Sequence, residues 1–132
     1  MILLKYIFLL FPVGIYTFQW SLDMPAGPYI ILERTEHNFG LIKSPWKQRC
    51  TFTLANIGND TLYIKNVEVA CGCTQPFFTK RGIAPGHSDS VWVDVDPRLL
   101  SEDFDRELYI ISNASNGQQT ITVSGVSRPP FR

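Results

Sequence analysis

Apolar residues recur at every second position along much of this chain, and that spacing predicts strands rather than helices. Cys50, Phe52 and Leu54 alternate with Arg49, Thr51 and Thr53; Val91, Val93 and Val95 alternate with Trp92, Asp94 and Asp96. Leu108, Ile110 and Ser112 alternate with Tyr109 and Ile111, and Ile121 and Val123 with Thr120, Thr122 and Ser124. Residues 29–33 and 38–42 are shorter apolar segments, and residues 77–79 a brief extended piece. A further strand runs over residues 61–69 and ends in the CGCTQP stretch; its apolar members Leu62, Ile64, Val67 and Val69 change parity at Lys65 and Asn66, which predicts a bulge there. Only residues 97–104 (PRLLSEDF) have room for a helical turn, and they are too few to be more than a connection. The pattern predicts an all-β, antiparallel sandwich of seven to eight strands.

The punctuation between these segments supports that reading. Residues 56–60 (NIGND) are dense in turn formers, with Asn56 leading the turn, Gly58 able to take a positive φ at no steric cost, and Leu62 and Ile64 following as the inward face of the next strand. Pro85 and Gly86 suit the two central positions of a type II turn. Phe39 followed by Gly40 reads as a core aromatic before a backbone bend.

The first 21 residues break the alternation. A single positive charge at Lys5 precedes an uncharged run, residues 6–20 (YIFLLFPVGIYTFQW), shorter than the ~20 residues of a full membrane span. This is the pattern of a secretory signal or an uncleaved signal-anchor, expected as an apolar helix before the sandwich. No Ala-x-Ala cleavage site follows it, and no cysteine suits a lipid anchor. The layout expected is therefore a signal or anchor at 1–21, a linker and possible first strand at 22–35, the sandwich at 36–127 and a tail at 128–132. Twelve basic residues balance twelve acidic ones, which argues against nucleic acid as a partner. Any membrane association is expected only through residues 1–21, if these are retained.

Six short motifs in order carry a resemblance: HNFG at 37–40, NIGNDTLYI at 56–64, CGCT at 71–74, APG at 84–86, Ser112-Asn113, and VSG at 123–125. Together they are similar to the DUF1573 family over residues 36–127. That resemblance implies an immunoglobulin-like fold, related to the sandwich modules of ciliary and centrosomal proteins, in bacterial and mostly exported chains. It implies no activity. Asn113 and Gly125 join the turn residues on this ground. The chain departs from the family pattern at Cys50 and in the stretch before Leu108, which lacks a glycine.

The chemically suggestive element is Cys71-Gly72-Cys73. In an extended strand these two cysteines would share a face roughly 6.6 Å apart, the upper edge of disulfide geometry, so a bridge needs a bend, which Gly72 permits. Reduced, the pair offers two thiolates to a soft metal, copper or zinc, with Cys50, His87 or His37 as further donors, none at ligand spacing. Two further readings stay open: one or both of the pair are simply buried at a strand end, or a structural bridge joins Cys50 to one of them, although its inward phase marks Cys50 as a small apolar core residue. The acidic cluster Asp94, Asp96, Asp103 and Asp105 lacks calcium-loop spacing and reads as a solvated edge. The Asn59 and Asn113 sequons read as turn chemistry. No nucleophile elbow, phosphate loop or HExxH occurs, so no catalytic residue is assigned, no cofactor is expected, and the chain is not read as an enzyme. Two functions remain: an exported periplasmic or cell-envelope module that binds a protein partner or serves a structural role, or a thiol-dependent metal-handling or redox protein using Cys71 and Cys73.

Overall fold

In the alternating segment around Phe52, every second residue is buried: Cys50, Phe52, Leu54 and Asn56 point inward from β3 (Gln48–Asn56). This strand is the hydrogen-bonded neighbour of β6 (Ser88–Val95), whose Val91, Val93 and Val95 are fully buried. The computed structural model describes residues 23–100 and 102–128, with Gly14. The expected N-terminal helix, apart from Gly14, and residues 129–132 of the tail lie outside the described residues. Among the described residues, no helix is long and apolar enough to cross a membrane.

The remaining strands are β1 (Ile30–Leu32), β2 (Glu36–Ile42), β4 (Ile64–Val69), β5 (Thr74–Phe77), β7 (Asp103–Ser112) and β8 (Gln119–Ser127). They form two four-stranded sheets, ordered β1-β3-β6-β5 and β2-β8-β7-β4. The inner faces enclose one core in which Phe52, Leu54, Leu108, Ile110, Ile121 and Val123 are wholly buried. Burying such a side chain contributes about 1.5–3 kcal/mol, so these faces hold the sheets together. The only helical element among the described residues is a 3-10 turn at Pro97–Leu99, within the 97–104 stretch.

The expected antiparallel arrangement holds for every strand pair but one. β2 runs parallel to β8, with Glu36 opposite Thr122 and Ile42 opposite Ser127. Pairing an early strand with the last one closes the second sheet through contacts between distant residues, which local alternation cannot predict. The register of this pair slips between Asn38 and Leu41. There Gly40 takes φ +65° and its N–H donates to Asn38 Oδ1 at 2.7 Å, so the bend expected after Phe39 is a bulge that only glycine enters without strain. The parity change at Lys65 is a second bulge, between Ile64 and Asn66 in the β4–β7 pair.

Three boundaries differ from the sequence pattern. Leu62 is separated from β4 and makes only an isolated bridge to Ile83. The extended piece expected at 77–79 starts earlier, at Thr74, because the chain has by then crossed into the first sheet and pairs with β6. The stretch read as a linker is partly pinned down: Gly27 N–H donates to Asn59 Oδ1 at 2.7 Å, and the Ser115 hydroxyl hydrogen-bonds Pro28 O at 2.7 Å.

The acidic cluster is not a uniformly solvated edge. Asp94 takes two hydrogen bonds from the exposed Arg49, at 2.6 and 2.9 Å. Asp96 is buried and caps the 3-10 turn, accepting from Arg98 N at 3.1 Å and from its guanidinium at 3.0 and 2.8 Å. Hydrogen bonding to these arginines holds both carboxyls below the ordinary aspartate range. What they add to stability is therefore present above the unfolded aspartate value and lost as pH falls through the lowered folded values.

β6 offers a direct test of register. Val93→Ala is expected to cost about 1–3 kcal/mol, through lost methyl burial and the cavity left behind. Asp94→Ala, on the outer face where solvent screens the arginine pair, is expected to shift the denaturation midpoint far less. The reverse order would mean that the strand is turned by one residue.

Candidate functional site

The sequence pattern singles out the corner where the chain passes from the second sheet to the first. β4 ends at Val69, β5 begins at Thr74, and Cys71, Gly72 and Cys73 make the crossing. Cys71 and Cys73 are joined by a disulfide, with their Cα atoms 5.3 Å apart, closer than an extended strand would hold them. Thr74 N–H and Oγ1–H approach Cys71 O at 3.5 and 3.4 Å, and Asp96 N–H donates to Cys73 O at 2.8 Å. Gly72 is not what makes this corner possible: its φ is not positive, and a Cβ there would meet nothing within 4 Å.

The two sulfurs differ in setting. Cys73 is buried in the core at 6% exposure, whereas Cys71 is only half-buried. Cys71 lines a shallow, open cleft of about 610 Å³ together with Ala70, Asp105, Arg106, Glu107 and Tyr109. The Tyr109 hydroxyl donates to Glu107 Oε2 at 2.7 Å, and that bond to a carboxylate raises the phenol above its ordinary range. Arg106 Nη1 donates to the Asp105 main-chain carbonyl at 2.9 Å, and Arg106 together with Asp105 and Glu107 gives the cleft wall both signs of charge.

The other candidate ligands are not assembled around this corner. Cys50 is a free thiol inside the sandwich, so it makes no bridge to Cys71 or Cys73, and burial pushes its pKa up to about 11. His87 sits in the turn before β6, while Cys73 lies beside Asp96 just past the other end of that strand. His37 is half-buried against Phe39, ring centroids 4.5 Å apart; burial first and Arg34 second lower its pKa. Among the described residues, no group of three or more His, Cys, Asp or Glu side chains could hold a metal ion.

The turn residues are tied into the framework of the sandwich. Pro85 and Gly86 are the central pair of a turn closed by His87 N–H to Ala84 O at 3.0 Å, with Gly86 at φ +79°. Asn113 clamps the 61–63 segment: Oδ1 accepts from Tyr63 N at 2.7 Å and Nδ2 donates to Thr61 O at 3.1 Å. Gly125 is needed for space, because a Cβ there would stand 2.9 Å from the Phe104 ring. Asn116, which the sequence pattern does not single out, hydrogen-bonds both Ile30 N (3.0 Å) and Ile30 O (2.9 Å), standing in for a strand neighbour of β1.

A second surface feature lies on the outer face of the first sheet. Phe77 of β5 and Trp92 of β6 are directly opposite each other, 39% and 37% exposed. The Arg49 guanidinium lies 5.4 Å from the centre of the Phe77 ring, within cation–π range. A large aromatic at the outward phase of the valine strand was the available sequence signal for this pair. The cleft residues 105–109 carried none, since alternating charges on a strand's outer face are ordinary.

Comparison with solved structures places this architecture among known sandwiches. A Porphyromonas gingivalis protein of unknown function aligns with TM-score 0.70 at 18% identity, over 80% of this chain and 50% of that one. This chain thus spans half the length of that protein. The PapD-like domain 7 of human CEP192, an ASH / PapD-like domain, aligns with TM-score 0.61 at 9% identity, over 89% of this chain and 97% of that domain. The Vibrio cholerae VesB protease aligns with TM-score 0.58 at 19% identity, over 74% of this chain and 31% of the protease. At these identities the likeness is one of fold, an immunoglobulin-like, PapD-like sandwich. No curated protein matches in sequence. The sequence matches the profile "Protein of unknown function (DUF1573)" over residues 30–127, and the chain belongs to that family.

Proposed function

We propose that this chain is an exported module that binds another protein through the outer face of its first sheet. The observation that carries this reading is the pair Trp92 and Phe77, exposed, in register and flanked by Arg49. Tryptophan, aromatic residues generally and arginine are the types that dominate binding energy in protein interfaces. The zero net charge and the apolar run at 6–20 favour a protein partner outside the cytoplasm over nucleic acid. In this reading the module binds rather than catalyses and needs no cofactor.

The test is a photo-crosslinking residue at position 92 in the native host, with one at the exposed Gln118 as control. A discrete adduct from position 92 alone, in the cell-envelope fraction, is the expected result. Once the partner is known, Trp92→Ala should weaken binding about thirtyfold, the ~2 kcal/mol of an interface hot spot. Full-length protein soluble in the cytosol, or adducts from both positions alike, would refute the proposal.

A further inference from the structure

The two residues joined by the Cys71–Cys73 disulfide sit in different surroundings. One sulfur belongs to a residue that lines an open cleft, and the other belongs to a residue packed in the core. Exchange with a thiol proceeds by attack of a thiolate along the sulfur–sulfur axis, so the sulfur that can be approached is the one attacked. Bridging residues only two apart, this disulfide also constrains the unfolded chain very little, because that constraint grows with loop length. Reducing it therefore leaves the fold's main sources of stability in place.

We infer that this corner is a thiol–disulfide exchange site whose co-substrate is an external dithiol, with Cys71 as the attacked sulfur and Cys73 as the leaving group. One thiolate of the dithiol enters beside Cys71 and forms a new bond to Cys71 Sγ. The Cys71–Cys73 bond breaks, its electron pair goes to Cys73 Sγ, and that sulfur takes a proton. Cys73, held two residues away, can expel a simple monothiol by the reverse step. A dithiol avoids this: its second thiolate attacks its own sulfur in the mixed disulfide, releasing Cys71, which is protonated in turn. The dithiol is oxidised to a disulfide and the protein reduced to two thiols, two electrons and two protons having moved. Asp105 and Glu107 flank the cleft with Arg106 between them, so an incoming thiolate meets one cation and two carboxylates. Cys50, buried with its thiol held protonated, takes no part.

The full chain provides the test, with dithiothreitol as the dithiol and alkylation followed by mass analysis as the readout. Reduction of the folded protein is expected at a rate within about tenfold of the denatured chain, because the attacked sulfur is reachable without unfolding. Near-ultraviolet circular dichroism and the melting temperature should change little on reduction. Reduction that waits on global unfolding would overturn the inference. Single-cysteine variants then read the direction of attack. Cys73→Ser leaves a thiol at Cys71 that oxidised glutathione should modify, while the buried thiol left in Cys71→Ser should react at least about tenfold more slowly. Equal rates in the two variants, both folded, would overturn the assignment of Cys71. Should either variant fail to fold, acid-trapping the mixed disulfide of the unaltered chain and mapping its peptides makes the same distinction, an adduct confined to Cys73 being the contrary result.

Discussion

Asn56→Ala is expected to lower the stability of the folded chain by about 3–5 kcal/mol, the cost of stranding several buried polar groups at once. Asn56 has no solvent exposure, and its side chain uses all of its hydrogen-bonding capacity. Oδ1 accepts from Tyr29 N at 3.2 Å and from Gly58 N at 3.0 Å; Nδ2 donates to Asp60 O at 2.7 Å and to Ile83 O at 2.9 Å. One amide thus ties together the entry to β1, the 56–60 turn and the segment leading to β6. Alanine removes all four bonds and leaves the buried Gly58 donor and the part-buried Tyr29 donor and Asp60 acceptor without this partner, while Ile83 O keeps its bond from Leu62 N at 2.9 Å. Asn56→Asp makes the argument sharper. It would aim a carboxylate oxygen at two carbonyl oxygens, so burial and repulsion would raise its folded pKa above the unfolded value. The penalty, measured against the unaltered chain at each pH, should then be fully present above that raised value. It should ease as pH falls through it, since the protonated acid can donate to one carbonyl. An Asn56→Ala loss under about 1 kcal/mol in urea denaturation would show that water or local shifts replace the amide.

The strands were legible because burial and period coincide. Cys50-Thr51-Phe52-Thr53-Leu54 has one inward face and one outward face, and no other arrangement of those residues buries Phe52 while exposing the threonines. The bulge at Lys65 was legible as a local change of parity, while at Gly40 the sequence signalled only a bend, and that the bend is a bulge depends on the pairing with β8. The parallel pairing of β2 with β8 was not legible, since it depends on residues more than eighty apart meeting across the finished sandwich. The acidic run around Asp94 and Asp96 misled for two different reasons: Arg49 reaches Asp94 only across two paired strands, whereas the partner of Asp96 is Arg98, two residues on, a local signal that the run of acids obscured. The cysteine corner was half legible. Spacing admitted a local bridge as one of several readings, and which cysteine lines the cleft depends on β7 lying beside it.

Gly40 and Gly86 follow their local signals, but Gly58 and Gly72 do not, and these two positions give an expected contrast. Gly58 does not use the positive φ that its turn context would allow. Its requirement is space: a Cβ there would stand 1.9 Å from Gly27 O and 2.7 Å from Tyr29 N, both backbone atoms that cannot rotate aside. Gly58→Ala must therefore push the 27–29 segment off the turn. That strains the bonds from Asn59 N to Gly27 O (3.0 Å) and from Ile57 N to Tyr29 O (2.9 Å). A cost of about 3 kcal/mol is expected, the upper part of the usual range for overpacking. Gly72→Ala, with open space around it and an ordinary φ, is expected to be neutral or to stabilise by up to about 1 kcal/mol by restricting the unfolded chain. Comparable losses at the two sites would mean that backbone freedom, not close approach, governs both. Because Gly58→Ala and Asn56→Ala each release the 27–29 segment, the double variant should lose clearly less than the sum of the single losses. Neighbours that share partners couple in this way, and strict additivity would show that the segment is held independently by the two residues.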